Sequence, residues 1–178
     1  MPAKPSPALF KKLKAVKLFL CDVDGVLTDG AVYMGGGMEF KRFNIRDGLG
    51  LKFLQLHGIK VGWVSRRPSS ATQQRADDLK IDFVVQHNGG KIEGVEGILR
   101  QTGMAWADVC YVGDDVVDIG VLNRVGLAVV PGDGTADTKK SADYVTKAPG
   151  GNGAIREIVE MILRAQNKWK VVVAEYAN

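Results

Sequence analysis

Two carboxylic acids directly follow an apolar run near the start of the sequence. The run occupies residues 17–21, and Asp22 and Asp24 come immediately after it. Open α/β sheets place their sites at the carboxyl ends of strands, so this pair stands where catalytic groups are expected. A tight acidic turn, with Gly25 supplying unusual backbone angles, is the alternative explanation for the pair taken alone.

A second acidic cluster follows the apolar run at residues 109–112. It contains Asp114, Asp115 and Asp118. Like charges at neighbouring strand ends repel one another, so such a cluster persists most easily when a cation neutralises it. Oxygen ligands of this kind suit Mg²⁺. Asp115 can also cap a helix, and the two explanations are compatible.

Two further strand ends supply a hydroxyl and positive charge. Ser65, with Arg66 and Arg67 behind it, follows the run at residues 60–64, and Lys91 opens a predicted helix after two glycines. The hydroxyl and nearby amides can hold phosphate oxygens, and the ammonium can offset their charge. A lone Ser or Lys is more often a cap or a surface group, but four such strand ends in this order favour a phosphate site.

The elements that must position these residues form a regular pattern. Short apolar runs alternate with longer segments of helical period, which predicts an α/β, doubly wound, mainly parallel sheet with helices on both faces. The predicted strands occupy residues 17–21, 60–64, 83–85, 109–112, 127–130 and 144–145.

Apolar spacing also predicts the helices. The last one follows Gly153 and carries apolar residues at i, i+3, i+4, i+7 and i+8. Another is predicted to begin near Asp47, whose side chain can cap it, and to end at Gly58. Similar patterns cover residues 70–79 and 91–99.

We expect one domain over residues 1–178 with two additions. Two short runs flanking three glycines predict a β-hairpin insertion at residues 31–44. The C-terminal tail, residues 168–178, carries three consecutive valines that must dock somewhere to avoid exposure.

Composition narrows the class of protein. The formal charge of +4 comes from scattered basic residues, so nucleic-acid binding is not predicted. Cys21 and Cys110 lie inside apolar runs, which favours reduced thiols and a cytoplasmic protein. No apolar stretch reaches the roughly 18 residues of a membrane span, and residues 1–7 lack the apolar core of a signal peptide.

The order of these motifs resembles that of the haloacid dehalogenase superfamily of phosphatases. The resemblance makes Asp22 the nucleophile and Asp24 the general acid and base, with Ser65 and Lys91 as the other catalytic residues. It implies a Mg²⁺ ion held by Asp22, the carbonyl of Asp24 and Asp114. Asp115 and Asp118 then have supporting roles.

Neither interval in which this superfamily inserts a cap domain has room for one here. The capless layout and the run at residues 43–48 resemble the 3-deoxy-D-manno-octulosonate 8-phosphate phosphatase subfamily. That resemblance implies a sugar-acid phosphate substrate, lipopolysaccharide sugar synthesis, and a homotetramer whose neighbouring subunits help to close each site. The implied substrate-binding residues are Arg66, Arg67, Asp47 and Gly48, with Arg67 expected to pair with the sugar's carboxylate.

Two alternatives remain open at this point. The same chemistry could act on a nine-carbon sugar acid, as a nonulosonate or N-acylneuraminate 9-phosphate phosphatase. More remotely, the chain could be a non-catalytic oligomerisation module. Arg66 stands where the subfamily commonly has Gly, which weakens the substrate assignment more than the reaction class.

Overall fold

The computed structural model describes residues 5–177, and its core is a six-stranded parallel sheet. In order across the sheet, the strands are β5 (Phe83–Gln86), β4 (Lys60–Ser65), β1 (Leu18–Cys21), β6 (Val109–Val112), β7 (Leu127–Val130) and β8 (Tyr144–Val145). The predicted doubly wound α/β fold is therefore confirmed, and each predicted strand matches to within one residue at either end. A separate antiparallel pair is formed by β2 (Tyr33–Gly35) and β3 (Met38–Phe40).

Helices cover both faces of the sheet. In the helix that follows Gly153, the apolar residues that the spacing predicts to face the core are all buried. Within residues 5–177 no helix is long and apolar enough to cross a membrane. The α-helices are α1 (Pro7–Ala15), α2 (Ile45–Leu56), α3 (Ser70–Leu79), α4 (Lys91–Thr102), α5 (Ile119–Leu122), α6 (Ala136–Lys139), α7 (Ala154–Ala165) and α8 (Trp169–Glu175).

The central position of β1 brings the candidate residues together. β1 pairs in parallel with both β4 and β6, and all four of its residues are buried. The amide of Asp22 continues this ladder by donating to the carbonyl of Val112 at 2.9 Å. The carboxyl ends of three adjacent strands therefore meet at one edge, as the sequence pattern requires.

The start of α2 differs from the prediction. Asn44, not Asp47, caps this helix, because its side chain accepts hydrogen bonds from the amides of residues 46 and 47. The buried Asp47 carboxylate accepts from the amides of Gly153 (3.1 Å) and Arg156 (2.7 Å) instead. Asp47 thus caps α7, whose own N-cap residue is a glycine without a side chain.

The predicted hairpin forms two paired strands, and most of the predicted tail forms a helix. The hairpin strands β2 and β3 pair around two glycines of positive φ, Gly36 and Gly37. The tail forms α8, which buries Trp169 and Val172 against the body of the chain, while Val171 and Val173 stay half exposed. Asn178, the last residue of the predicted tail, lies outside the described residues.

α1 was not predicted, although its signal is visible. Ser6 accepts a hydrogen bond from the amide of Leu9 at 3.2 Å, and Pro7 occupies the first helical position. A serine cap followed by proline is a standard start for a helix.

Candidate active site

A buried ion-pair network forms where β1 and β6 end. Lys91 lies at the first turn of α4, and its ammonium donates to the Asp22 carboxylate and to Asp118 Oδ1, the latter at 2.6 Å. The amide of Val23 donates to Asp22 Oδ1 at 2.6 Å, and the Tyr111 hydroxyl donates to Asp118 Oδ1 at 2.7 Å. These contacts hold Asp22 and Asp118 in single orientations.

Burial and mutual repulsion raise the pKa of two carboxylates at this edge, Asp22 and Asp114. Burial raises the pKa of Asp22 to about 6, and Asp118 adds to the shift while Lys91 opposes it. Burial likewise raises the pKa of Asp114 to about 7, with further contributions from Asp118 and Asp22. Burial alone would lower the pKa of Lys91, but Asp22 and Asp118 outweigh it and raise that pKa. One lysine therefore does not balance the three carboxylates.

The same carboxylates fit a divalent cation. Asp22, Asp114 and Asp118 each offer an oxygen, and these oxygens lie within 4.8 Å of one another. Asp114 Oδ1 is buried and has no hydrogen-bond partner within residues 5–177. Hard oxygen donors and an unpartnered carboxylate oxygen are what Mg²⁺ requires. The close approach depends on Gly25 (φ +83°), because a Cβ there would overlap the Asp114 carboxylate.

Asp118 and Asp115 also shape the loop after β6. Asp118 is fully buried, and its second oxygen accepts from the amides of Asp114 (3.1 Å) and Asp115 (3.3 Å). Asp115 is exposed and caps a short 3₁₀ turn, Val116–Asp118, through the amide of Val116. The helix-cap explanation for Asp115 is thus correct, and Asp118 belongs to the metal-competent cluster as well.

Asp24 lies beside a lysine that the sequence did not single out. Lys41, just beyond β3, places its ammonium 2.7 Å from Asp24 Oδ1 and 2.9 Å from Oδ2. The ammonium also donates to the Thr72 hydroxyl at 3.1 Å and lies 3.7 Å from Glu39. The Lys41 side chain is 0% exposed.

The residues after β4 form a polar turn. Ser65 is the last residue of the strand rather than the residue after it, and its hydroxyl accepts from the Arg67 amide at 3.1 Å. The Arg67 guanidinium is half exposed and pairs with Glu39, whose other oxygen accepts from the Ser69 hydroxyl at 2.6 Å. Arg66 is exposed.

Not every predicted site residue joins the ion-pair network. The contacts of the Asp47 carboxylate are the two amides at the start of α7. Gly48 lies against α3, because a Cβ there would meet Arg75 and Leu79. A substrate-binding role for these two residues stays a prediction.

Sequence reasoning missed three polar residues near the site. Tyr111 is hidden in an apolar strand, and Lys41 and Glu39 sit in a hairpin with no catalytic motif. The one available signal was the two-residue spacing of Glu39 and Lys41, which places both side chains on the same face of an extended segment.

Comparison with known proteins agrees with this geometry. A family model of haloacid dehalogenase-like hydrolases matches residues 90–158. The 3-deoxy-D-manno-octulosonate 8-phosphate phosphatase KdsC of Salmonella typhimurium is 38% identical over 164 residues, covering 92% of this chain and 87% of that protein.

Solved structures give the same result. A probable yrbI family phosphatase from Pseudomonas syringae superposes with a TM-score of 0.94 at 36% identity, covering 97% of this chain and 99% of that one. The 3-deoxy-D-manno-octulosonate 8-phosphate phosphatase of Moraxella catarrhalis, solved with magnesium, phosphate and KDO, gives 0.92 at 35% identity over 94% and 97% of the two chains. This chain therefore belongs to the 3-deoxy-D-manno-octulosonate 8-phosphate phosphatase family of haloacid dehalogenase-like hydrolases.

Proposed function

We propose that this protein is a magnesium-dependent phosphatase that hydrolyses 3-deoxy-D-manno-octulosonate 8-phosphate to the free sugar acid and phosphate. The observation that carries the proposal is the Asp22 carboxylate, held by Lys91 at the end of β1 beside Asp114 and Asp118. A nucleophilic carboxylate needs a neighbouring cation to approach an anionic phosphate ester. The family membership supports the same chemistry.

In the proposed mechanism Asp22 attacks phosphorus and forms an aspartyl-phosphate. The ester P–O bond breaks as Asp24 gives its proton to the leaving oxygen. Asp24 then takes a proton from a water molecule, whose oxygen attacks phosphorus and frees Asp22. Lys91 and Ser65 bind phosphoryl oxygens, because an ammonium and a hydroxyl are donors matched to that charge.

Asp22, Asp114 and the carbonyl of Asp24 would hold Mg²⁺. Bound there, the ion would neutralise charge on the carboxylates and the phosphoryl group. Asp118 and Asp115 support this set by fixing the loop after β6.

Arg67 is our candidate for the residue that binds the carboxylate of the sugar acid. Its guanidinium is 44% exposed and already pairs with one carboxylate, that of Glu39. A planar guanidinium has donors enough for a second bidentate partner. Arg66, Asp47 and Gly48 are retained as further candidates for substrate binding.

The relatives do not favour the nine-carbon alternative or the oligomerisation module. Relative activity on the two sugar-acid phosphates decides between the phosphatase assignments. Side-by-side kcat/KM values should favour the eight-carbon substrate, and a preference for the nine-carbon one would overturn the assignment.

We further propose a cytoplasmic homotetramer, built from one phosphatase domain per chain over residues 1–178. The hairpin (residues 31–44) presents Tyr33, Met34, Met38 and Phe40 at least half exposed, an apolar surface that a second copy would cover. A cavity of about 720 Å³ lies between it and α3. Two buried, free cysteines support a reducing compartment. Native mass spectrometry showing a stable, active monomer would contradict the tetramer.

Asp22→Asn tests the nucleophile directly. The neutral amide cannot attack phosphorus, so steady-state turnover should fall to background while the circular dichroism spectrum and the native mass are unchanged. Lys60→Met, which removes an ion pair with Asp82 outside the site, serves as the control and should keep wild-type turnover. An Asp22→Asn enzyme with turnover near wild type would refute the mechanism.

A further inference from the structure

The Asp24 side chain depends on one residue for its orientation. Among residues 5–177, Lys41 supplies the only hydrogen bond and ion pair to this carboxylate. Asp22, by contrast, is fixed by Lys91 and by the amide of Val23. A proton donor must point at the oxygen that receives the proton, so whatever orients Asp24 controls its use.

The Lys41 ammonium is buried and therefore needs fixed partners inside the protein. Its side chain is 0% exposed, although it follows a hairpin whose other side chains are largely exposed. A buried ammonium loses its hydration and is stable only when acceptors replace the lost water. Asp24 Oδ2 and the Thr72 hydroxyl accept its hydrogen bonds, and the negative charge of the Asp24 carboxylate, with Oδ1 2.7 Å away, pairs with the ammonium.

Glu39 is the more distant of the two acidic partners of Lys41. It lies 3.7 Å from the Lys41 ammonium, whereas its own oxygens bind the Arg67 guanidinium and the Ser69 hydroxyl. Lys41 therefore makes its short contacts with Asp24, while the hydrogen bonds of Glu39 go to Arg67 and Ser69.

We propose that Lys41 is a positioning residue for the reaction, which holds the Asp24 carboxylate toward the leaving group from the hairpin side. This inference rests on the proposed phosphatase function. Lys41 acts through Asp24 and does not itself touch the phosphate. Loss of Lys41 should therefore slow the step in which Asp24 gives up its proton, and leave phosphate binding in place.

The test compares two leaving groups in Lys41→Met. A sugar alkoxide needs a proton to leave, whereas p-nitrophenolate does not. On 3-deoxy-D-manno-octulosonate 8-phosphate, kcat should fall by about 10²-fold or more, the usual contribution of a general acid, with KM changed less than about threefold. The pre-steady-state burst of p-nitrophenolate, which reports the first step alone, should slow by less than about tenfold.

Lys41→Arg should recover part of the loss on the sugar phosphate, because it restores a cationic donor. Lys41→Gln, neutral and similar in length, keeps the test available if the methionine variant does not fold, and should show the same selective loss. Lys60→Met is the matched control for loss of a lysine ion pair and should behave as wild type on both substrates.

Three results overturn the inference. Equal losses on both substrates, a loss in KM alone, or full activity of Lys41→Met would each show that Lys41 does not act through Asp24. Failure of the wild-type protein to release phosphate from either substrate is a different outcome, and it would remove the proposed function together with this role.

Discussion

Replacing Asp47 by alanine tests whether this residue holds α7 or binds substrate. The carboxylate is buried and accepts hydrogen bonds from two amides at the start of α7, 106 and 109 residues away along the chain. Alanine would leave both amides without that acceptor. Each unsatisfied buried donor costs about 1–3 kcal/mol, and loss of a helix cap costs about 0.5–2 kcal/mol.

Part of this loss of stability is offset, because the alanine variant no longer has to bury a charged carboxylate. Burial raises the pKa of Asp47, which shows that desolvation opposes the two hydrogen bonds. We therefore expect a net loss of about 2–4 kcal/mol in the free energy of unfolding. For a chain of this length that is a fall in Tm of roughly 5–15 °C.

Thermal melts and kinetics on the same preparations supply the measurement. Asp47→Asn keeps one acceptor oxygen and should lose less stability than Asp47→Ala. Asp137→Ala removes an exposed ion pair with Lys140 and should change stability by less than about 1 kcal/mol. An Asp47→Ala protein with a wild-type Tm and a KM raised tenfold would refute the capping argument and favour substrate binding.

Three further predictions concern the metal site and the substrate. Burial raises the pKa of Asp22 to about 6 and of Asp114 to about 7, so the metal-free fold retains protons that the unfolded chain releases above about pH 4. Stability in EDTA should therefore fall as pH rises from 4 to 7, and added Mg²⁺ should raise Tm most near pH 7; a flat Tm profile would contradict this. Gly25→Ala places a Cβ where the Asp114 carboxylate lies, so the Mg²⁺ affinity measured by calorimetry should fall about 10- to 100-fold. An unchanged affinity would show that the loop can move to accommodate the methyl group. Arg67→Ala should raise KM for the sugar-acid phosphate but not for p-nitrophenyl phosphate. If the variant and the wild type have the same KM for the sugar-acid phosphate, Arg67 does not bind the carboxylate.

The sequence determined the sheet and the order of the residues at its edge. Parallel strands bring their carboxyl ends to one side, so Asp22, Ser65 and Lys91 could be placed near one another from strand prediction alone. Asp118 could be assigned to the same edge, because it follows β6 by a few residues. The strand predictions are confirmed, and Lys91 contacts both Asp22 and Asp118, because local apolar runs report strands and the topology of such sheets is restricted.

Only the tertiary structure decided how the other polar groups are used. Nothing local distinguishes Asp47, an expected cap of α2, from a cap of α7, since the choice depends on how two helices pack. The Lys41–Asp24 pair likewise depends on where the hairpin folds back onto the sheet. Hydrophobic pattern specifies which face of an element is buried, but contacts between polar side chains distant in the chain depend on the angles and distances at which those elements meet.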